Sequence, residues 1–377
     1  MKPRKVVDLF CGAGGLSLGF KQAGFEPCLA YDFDRYACAT YAANIGPHVI
    51  HADLAGADPD EIARQIRTQV GAVDVVAGGP PCQGWSIQRR GEWLDSRNDL
   101  TLQFAAIAAA VQPRAIVMEN VPTILGKRGE RHLHLVEAML ARAGYTFSKA
   151  ILDAAQFGVP QSRRRAVLVA VHHDVSGSFR FPDPTHGPGN FRTVREAIGD
   201  LPNPLSDGSE HPHYRNHRLV MASKANLERL RHVPEGGGRL DVPEDLQLAC
   251  HRKDNGHRHL DVYGRLWWDR PAGTITAMFD NFTRGRFAHP TENRNITSRE
   301  GARLQSFPDT FAFVGPKKDV ARQIGNAVAP GLAKAVAQAL LATLGQTEGS
   351  PEHATERMAA IDDQALSRDP YRQHLAT

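Results

Sequence analysis

The feature that most constrains the fold is an alternation between short apolar runs and helical stretches, which extends from about residue 4 to residue 172. Val6 to Phe10 is predicted to be a buried strand, and Gly15 to Ala23 a helix. Val73 to Ala77 and Ala115 to Met118 are further strand-like runs, and each is followed, after a loop, by a helical pattern. Such alternation favours a mostly parallel sheet with helices on both faces, so the sequence predicts an α/β fold.

The composition of the chain changes near Phe181, where stretches rich in Pro, Gly, Asp, Ser and His begin. Weak periodicity there predicts a loop-rich second domain. Helical patterns return at Thr297 to Gln305 and at Val320 to Leu344, and Pro330 divides the latter. The predicted organisation is a sheet domain over residues 1–181, a loop-rich domain over 182–292, a hinge region over 293–321, a C-terminal helix over 322–345 and a polar, mobile tail over 346–377.

Composition and charge permit a nucleic-acid partner without demanding one, because the formal net charge is only +4 over 377 residues. The apolar stretch Phe104 to Val111 is too short to cross a bilayer, which predicts no membrane segment. The cysteines are odd in number and none are closely spaced, which predicts free thiols in a reducing cytoplasm and no metal site. They are Cys11, Cys28, Cys38, Cys82 and Cys250.

A glycine-rich loop, Asp8 to Gly15, joins the first predicted strand to the first helix. Glycines there let the backbone approach a ligand closely beside a helix N-terminus. The dinucleotide-binding pattern would need a third glycine at Ser17, which weakens a nicotinamide interpretation. Asp32 and Asp53 end the next two apolar runs, where carboxylates can bond a ribose or an adenine amino group. On these residues alone, ordinary strand-to-helix turns remain an equal alternative.

A second loop, Gly78 to Ser86, follows the strand Val73 to Ala77 and contains Cys82. The end of a parallel strand is where open α/β sheets bind ligands, and two prolines stiffen the approach to this cysteine. A single cysteine is more often a small buried hydrophobe. Its place in a polar Pro/Gly loop leaves a reactive thiol and a structural one equally favoured.

The segment Gly-Pro-Pro-Cys-Gln-Gly-Trp-Ser at residues 79–86 resembles the catalytic loop of the DNA cytosine-5 methyltransferases, of the bacterial restriction-modification type. Five other motifs of that family occur along the chain, and all of them stand in the family's order. The resemblance covers roughly residues 4 to 344. The five motifs are Asp8 to Gly15, Met118 to Pro122, Gln156 to Arg165, Arg294 to Pro308 and Gln323 to Val328.

The resemblance implies a Rossmann-like methyltransferase fold with a smaller target-recognition domain at residues 182–292 and a C-terminal helix returning to the catalytic domain. The implied reaction transfers a methyl group from S-adenosylmethionine to C5 of a cytosine flipped out of a specific double-stranded DNA sequence. The expected setting is the cytoplasm of a bacterium, at the nucleoid. The expected state is a monomer, with a cognate restriction endonuclease as a genetic partner only.

By this resemblance Cys82 is the nucleophile that adds to C6 of cytosine, and Glu119 is the acid that relieves the charge at N3. Arg163 and Arg165 lie two apart in an extended segment and so share a face, while Arg164 points the other way. Without the motifs, Glu119 would be interpreted as an exposed loop residue and the three arginines as a solvated charge run.

The implied cofactor contacts include Phe10 and Phe33 as adenine-stacking candidates. The predicted cofactor-binding residues are Phe10, Gly12, Gly14, Gly15, Leu16, Asp32, Phe33, Asp53, Pro81 and Asn326. The predicted DNA-binding residues are Gln83, Ser86, Arg97, Arg252, Arg258, Arg265, Arg284 and Arg286. For Thr297 to Glu300, a capping box, and for the spacing of Glu300 and Arg303, we expect a structural role.

Three other functions stay open at this point. A transfer-RNA cytosine-5 methyltransferase has the same motifs, although a separate recognition segment of about a hundred residues favours DNA. A non-catalytic DNA-binding relative with this fold need not keep Cys82, Glu119 and Arg163 together. A nicotinamide-dependent oxidoreductase is a more distant alternative.

Overall fold

The computed structural model describes residues 3–81, 99–248 and 260–345, and within them a single seven-stranded sheet forms the centre. The strand order is β3-β2-β1-β4-β5-β7-β6; β1 to β5 are parallel, and β7 runs antiparallel to both of its neighbours. The predicted α/β class is confirmed. The strands are β1 (Lys5–Leu9), β2 (Glu26–Asp32), β3 (Val49–His51), β4 (Val75–Gly78), β5 (Ala115–Asn120), β6 (Tyr145–Asp153) and β7 (Arg164–His172).

Helices cover both faces of the sheet because neighbouring residues of each strand point to opposite sides. Val7 and Val76 pack in the cluster that contains helices α3, α4 and α5, whereas Val6 and Val75 pack in the cluster that contains α1 and α10. The helices are α1 (Gly15–Gln22), α2 (Arg35–Asn44), α3 (Pro59–Val70), α4 (Asp99–Val111), α5 (Glu130–Arg142), α6 (Val194–Ile198), α7 (Lys224–Arg231), α8 (Ser298–Leu304), α9 (Lys317–Asn326) and α10 (Pro330–Gly345).

The last helix, α10, returns the chain to the sheet and packs against α1. A Cβ at Gly19 would collide with Ala333, so α1 and α10 approach as closely as their backbones allow. Pro330 begins α10, which confirms the predicted division of the C-terminal helical pattern. The stretch Lys317–Gly345 is long and apolar enough to cross a membrane by length and composition alone, yet more than half of its most apolar part is buried inside this protein. It therefore has the properties of a core helix pair.

The loop-rich segment between β7 and α8 packs in two different ways. Leu230, Val233 and Phe282 belong to a small cluster of their own. Val194 and Ile275 instead share a cluster with residues of the sheet domain, Cys11 and Tyr41 among them. The division into domains at residue 181 stays a prediction, and the packing joins part of the second segment firmly to the first.

The N-terminus of α8 confirms one structural prediction and corrects another. Thr297 and Glu300 form the predicted capping box. The spacing of Glu300 and Arg303 favoured a pair between them, but the two residues do not pair. Both carboxyl oxygens of Glu300 instead accept from the guanidinium of Arg294 at 2.8 Å, in a fully buried bidentate pair. Arg303 pairs with Asp309 and Asp200, which lie on the outer side.

Candidate active site

The carboxyl ends of the parallel strands form one edge of the sheet, and the predicted site residues follow them. Phe10 comes after β1, Phe33 after β2 and Gly79 after β4, while Glu119 lies near the end of β5. Loops diverge at this edge and leave a crevice in which open α/β sheets bind their ligands. The fold therefore brings the described cofactor and catalytic candidates to the same edge.

The loop between β1 and α1 is built from residues in the left-handed backbone region. Phe10, Gly12 and Gly14 have φ of +60°, +54° and +93°. A Cβ at Gly14 would lie 2.9 Å from Cδ2 of Tyr41, so only glycine fits there. The backbone N–H of Gly12 donates to Oδ2 of Asp32 at 2.8 Å, which ties the loop to the end of β2. A Cβ at Gly12 would meet no protein atom within 4 Å, so the space above this residue is open to a ligand.

A buried carboxyl lies at the base of this loop. Asp8 accepts a hydrogen bond from Oγ of Ser17 at 2.6 Å, and the same Oγ is 3.1 Å from Oη of Tyr41. Burial raises the pKa of Asp8 to about 7, and the bond from Ser17 opposes part of that rise. Ser17 stands where a dinucleotide-binding loop would have its third glycine, and its hydroxyl instead joins α1 to β1. This role of Asp8 was not predicted from the sequence, where the available signal was a charged residue inside an apolar strand.

The ends of β2 and β3 present polar groups beside an exposed ring. Both carboxyl oxygens of Asp32 accept backbone N–H bonds, and burial raises the pKa of this group. The ring of Phe33, the next residue but outside the sheet, is 65% exposed. Asp53 is exposed just past β3, where one of its oxygens also accepts a backbone N–H. An apolar ring beside two carboxyls suits a nucleoside, which has a flat base and hydroxyl donors.

The remaining predicted cofactor residues lie around the start of α1. Leu16 is buried in the core between the sheet and α10. The carbonyl of Val328 lies so close to Gly15 that no side chain would fit at that position. Asn326 is exposed at the end of α9, and Pro81 is half-buried at the end of the first described range. Leu16 therefore supports the loop from inside, whereas Asn326 and Pro81 border the open edge.

An ion pair lies at the end of β5. Nε of Arg165 is 2.8 Å from Oε1 of Glu119, and both side chains are largely buried. A Cβ at Gly79 would lie 3.4 Å from Oε2 of Glu119, so the loop after β4 passes directly over this carboxyl. Nδ2 of Asn120 donates to the carbonyl of Pro80 at 3.2 Å and anchors that loop. Asn120 was not predicted to be a site residue, although it belongs to the same motif as Glu119.

Several predicted site residues cannot be placed, because they fall outside the described ranges. Cys82 follows the anchored Pro80-Pro81 segment directly in the chain, so the described structure reaches the residue before it. The residues outside the described ranges are Cys82, Gln83, Ser86, Arg97, Arg252 and Arg258.

Arg163 and Arg165 both point inward and Arg164 is exposed, which confirms the predicted alternation. The two inward side chains differ in what they bind. Arg163 is 2% exposed, and its guanidinium donates to the carbonyls of Ile275, Gly325 and Ala327 at 2.8 to 2.9 Å. Burial lowers its pKa well below the usual range. Arg163 thus joins the start of β7 to two later segments, whereas Arg165 holds Glu119.

Two of the arginines predicted to bind DNA are used inside the loop-rich segment between β7 and α8. Arg265 is 3% exposed and donates to the carbonyls of Val233, Leu230, His289 and Glu292 and to the side chain of Asn293. Arg286 donates to the carbonyls of Gly236, Gly237 and Arg265, pairs with Asp261 at 2.9 Å and lies over the ring of Trp267. Their donors satisfy loop carbonyls that have no ladder partners, so the structure argues against both predicted DNA contacts. Arg284 is exposed, as is Arg270.

Comparison with solved structures relates this fold to methyltransferases. A prophage-encoded Escherichia coli protein, described as a DNA modification methyltransferase, matches with a TM-score of 0.70 at 24% sequence identity, over 91% of this chain and 100% of that one. At this identity the likeness shows the fold alone, an α/β sheet with ligand-binding loops at its strand ends.

Sequence relatives identify the family. The chain is 38% identical to the Type II methyltransferase M1.HphI of Haemophilus parahaemolyticus, over 89% of this chain and 86% of the relative. It is 34% identical to the Type II methylase M.HgiDII of Herpetosiphon aurantiacus, over 89% and 94%. The family model for the C-5 cytosine-specific DNA methylases matches residues 4–342. The chain belongs to this family and is an enzyme of the DNA (cytosine-5)-methyltransferase class.

Proposed function

We propose that this enzyme transfers a methyl group from S-adenosylmethionine to C5 of a cytosine that is turned out of a specific duplex DNA sequence. The observation that carries this proposal is the Glu119–Arg165 pair beneath the loop that leads into Cys82. An acid and a guanidinium beneath the loop that leads into a cysteine suit addition to a pyrimidine ring. Type II methyltransferases as relatives support DNA as the substrate.

The loop after β1 and the ends of β2 and β3 fit the cofactor. S-adenosylmethionine, when bound, supplies an electrophilic methyl group on its sulfonium sulfur. The open space above Gly12 gives a path to the loop backbone, while Asp32 and Phe33 present a carboxyl and an exposed ring. The residues that would hold the cofactor are Phe10, Gly12, Gly14, Gly15, Asp32, Phe33, Asp53, Pro81 and Asn326, with Leu16 as a support from the core.

In the proposed mechanism the thiolate of Cys82 adds to C6 of cytosine and breaks the aromatic system of the ring. A proton from Glu119 at N3 relieves the negative charge, which leaves C5 able to attack the methyl group. A base then removes the proton from C5, expulsion of the Cys82 thiolate restores the aromatic ring, and N3 returns its proton to Glu119. Arg165 holds Oε1 of Glu119 and would donate to the base oxygen O2. This covalent route splits one difficult substitution into easier steps.

We assign Arg163 a positioning role in this reaction. Its bonds to Ile275, Gly325 and Ala327 fix the start of β7, from which Arg165 extends two residues later. Gln83, Ser86 and Arg97 stay predicted contacts to the DNA, and Arg252, Arg258 and Arg284 stay predicted contacts in the second domain. Action on chromosomal DNA would place the enzyme in the bacterial cytoplasm, at the nucleoid. A cognate restriction endonuclease would recognise the same DNA sequence and would not bind this enzyme.

The test is methyl transfer from labelled S-adenosylmethionine to two substrates, duplex DNA and transfer RNA, with the full chain. We expect label in duplex DNA, recovered as 5-methylcytosine, and background label in transfer RNA. Label in transfer RNA alone would instead establish the RNA-modifying alternative. No label in either, with cofactor still bound, would establish a non-catalytic DNA-binding relative.

A further inference from the structure

A pocket of about 390 Å³ lies between residues 220–226 and residues 277–282, and Lys318 borders it. We call it the 220/277 pocket. Its second wall begins two residues after Ile275, whose carbonyl is bound by Arg163 at 2.9 Å. The backbone around Thr276 also packs so tightly against Gly325 that no side chain would fit there. The pocket is therefore rigidly connected to the strand that carries Arg165.

Two asparagines give this pocket hydrogen-bond donors. Oδ1 of Asn281 accepts from the backbone N–H and from Oγ1 of Thr283, both at 2.9 Å. Oδ1 of Asn226 accepts from Arg229 at 3.0 Å and from Oη of Tyr263 at 2.9 Å. These donors fix which amide atom is oxygen, and no described residue accepts from the Nδ2 of either asparagine. Each asparagine can therefore only donate toward a ligand.

The rest of the lining supplies one positive charge, one negative charge and an apolar rim. Lys318 is exposed and adds a cationic donor, while Asp280 is half-buried and adds a carboxyl acceptor. Met221 is 71% exposed and Met278 is 46% exposed, so two large apolar side chains of the lining are open to solvent. Donors, one acceptor and apolar methyl groups together match the edge of a base pair better than a phosphate, since Asp280 would repel a phosphate.

We propose that the 220/277 pocket reads a G·C base pair of the recognised DNA sequence through the major groove. Asn281 and Lys318 donate to O6 and N7 of guanine, Asp280 accepts from N4 of the paired cytosine, and the two methionines pack on the neighbouring base edges. In the major groove only this pair presents two acceptors followed by a donor in that arrangement. The inference rests on the proposed function, because it names the groups that choose the DNA sequence. It also explains how guanine can be read when Arg265 and Arg286 are used inside the domain.

The test is the DNA sequence methylated by Asn281→Asp, read by bisulfite sequencing of a plasmid library. This substitution keeps Oδ1 as the cap for Thr283 and replaces a donor by an acceptor. Asn190→Asp is the matched control, since Asn190 is exposed, lies outside the pocket and has an Oδ1 that also accepts a backbone N–H. Lys318→Gln provides a second variant. Because Lys318 is exposed, this substitution should leave folding unaffected.

We expect the wild-type and Asn190→Asp proteins to methylate one common sequence that contains a fixed guanine. Asn281→Asp should lose discrimination at that one G·C pair by roughly 5- to 140-fold, the usual range for a specific base contact. An unchanged sequence with uniformly weaker, less salt-dependent binding would show a phosphate contact and overturn the inference. An unchanged sequence with unchanged affinity in both pocket variants would overturn it as well. If the wild-type protein methylates no DNA at all, the proposed function itself fails.

Discussion

Nε of Arg165 lies 2.8 Å from Oε1 of Glu119, across two adjacent strands that run in opposite directions. The antiparallel insertion of β7 makes this pair, because it brings the beginning of one strand to the edge at which β5 ends. With Oε1 held, Oε2 faces the loop after β4, where Gly79 leaves room. In the proposed mechanism the flipped cytosine presents its N3 to this carboxyl.

Glu119→Gln tests the acid directly, since it keeps the shape of the side chain and removes the transferable proton. We expect the rate of the chemical step to fall by about 10²-fold or more, the usual scale for general acid catalysis, with DNA affinity little changed. Single-turnover methylation and a DNA-binding titration would measure the two effects. Glu137→Gln is the control, because Glu137 forms a pair with Lys149 outside the proposed site. Wild-type single-turnover rates in Glu119→Gln would exclude the assigned role.

Changing Arg163 to methionine and changing Arg165 to methionine should have different effects on stability and turnover. Arg163→Met removes three bonds to buried carbonyls, so the free energy of unfolding should fall by about 3 kcal/mol or more. Arg165→Met should cost less stability and lower turnover more. Denaturant unfolding and single-turnover kinetics would distinguish them. Equal stability of Arg163→Met and the wild-type protein would contradict the positioning role.

The loop glycines offer a matched set for cofactor binding. Gly12, Gly14 and Gly24 all have positive φ, so alanine strains each backbone similarly. At Gly14 the new Cβ would also press on Tyr41, whereas at Gly12 and Gly24 it meets no protein atom. We expect Gly14→Ala to be the least stable and Gly12→Ala alone to weaken S-adenosylmethionine binding without extra destabilisation. Calorimetric titration would decide, and equal cofactor affinity in Gly12→Ala and Gly24→Ala would remove Gly12 from the cofactor site.

Asp8 should make stability depend on pH. Its pKa is about 7 in the folded protein and 3.8 is the ordinary value, so the folded state retains its proton longer than the unfolded state. Stability is therefore lost as pH rises from about 3.8 to about 7 and levels off above that. Asp8→Asn cannot lose this proton, so its melting temperature relative to wild type should rise across the same interval. A constant difference at all pH values would show that Asp8 does not titrate there.

The apolar alternation predicted β1, α1, β4 and β5 because a buried strand and an amphipathic helix each leave a pattern in a single sequence. The direction of β7 left no such pattern in the sequence, because periodicity shows which residues are buried and not which way a strand runs. The motifs identified Glu119 and Arg165 as members of the site, but only the folded chain shows them paired.

The roles of two arginines could not be predicted from the sequence. Arg265 and Arg286 are of a residue type that is common on DNA-binding surfaces, yet they donate to carbonyls of loops that meet only in the folded protein. A charged residue in an irregular segment has no local pattern that separates these two roles. The donor role of Asn281 could not be predicted for the same reason, because it depends on the turn that occupies the amide oxygen of this residue.

The central claim is the covalent bond between Cys82 and C6, and trapping with 5-fluorocytosine tests it most directly. In duplex DNA that carries the recognised sequence, fluorine at C5 cannot leave as a proton does, so the adduct should persist after methyl transfer. We predict a denaturation-resistant complex of the full chain with this DNA, dependent on S-adenosylmethionine and absent in Cys82→Ser. Cys28→Ser, which changes a half-buried thiol in β2, should form the complex normally. Normal methylation by Cys82→Ser, or trapping of that variant, would contradict the account.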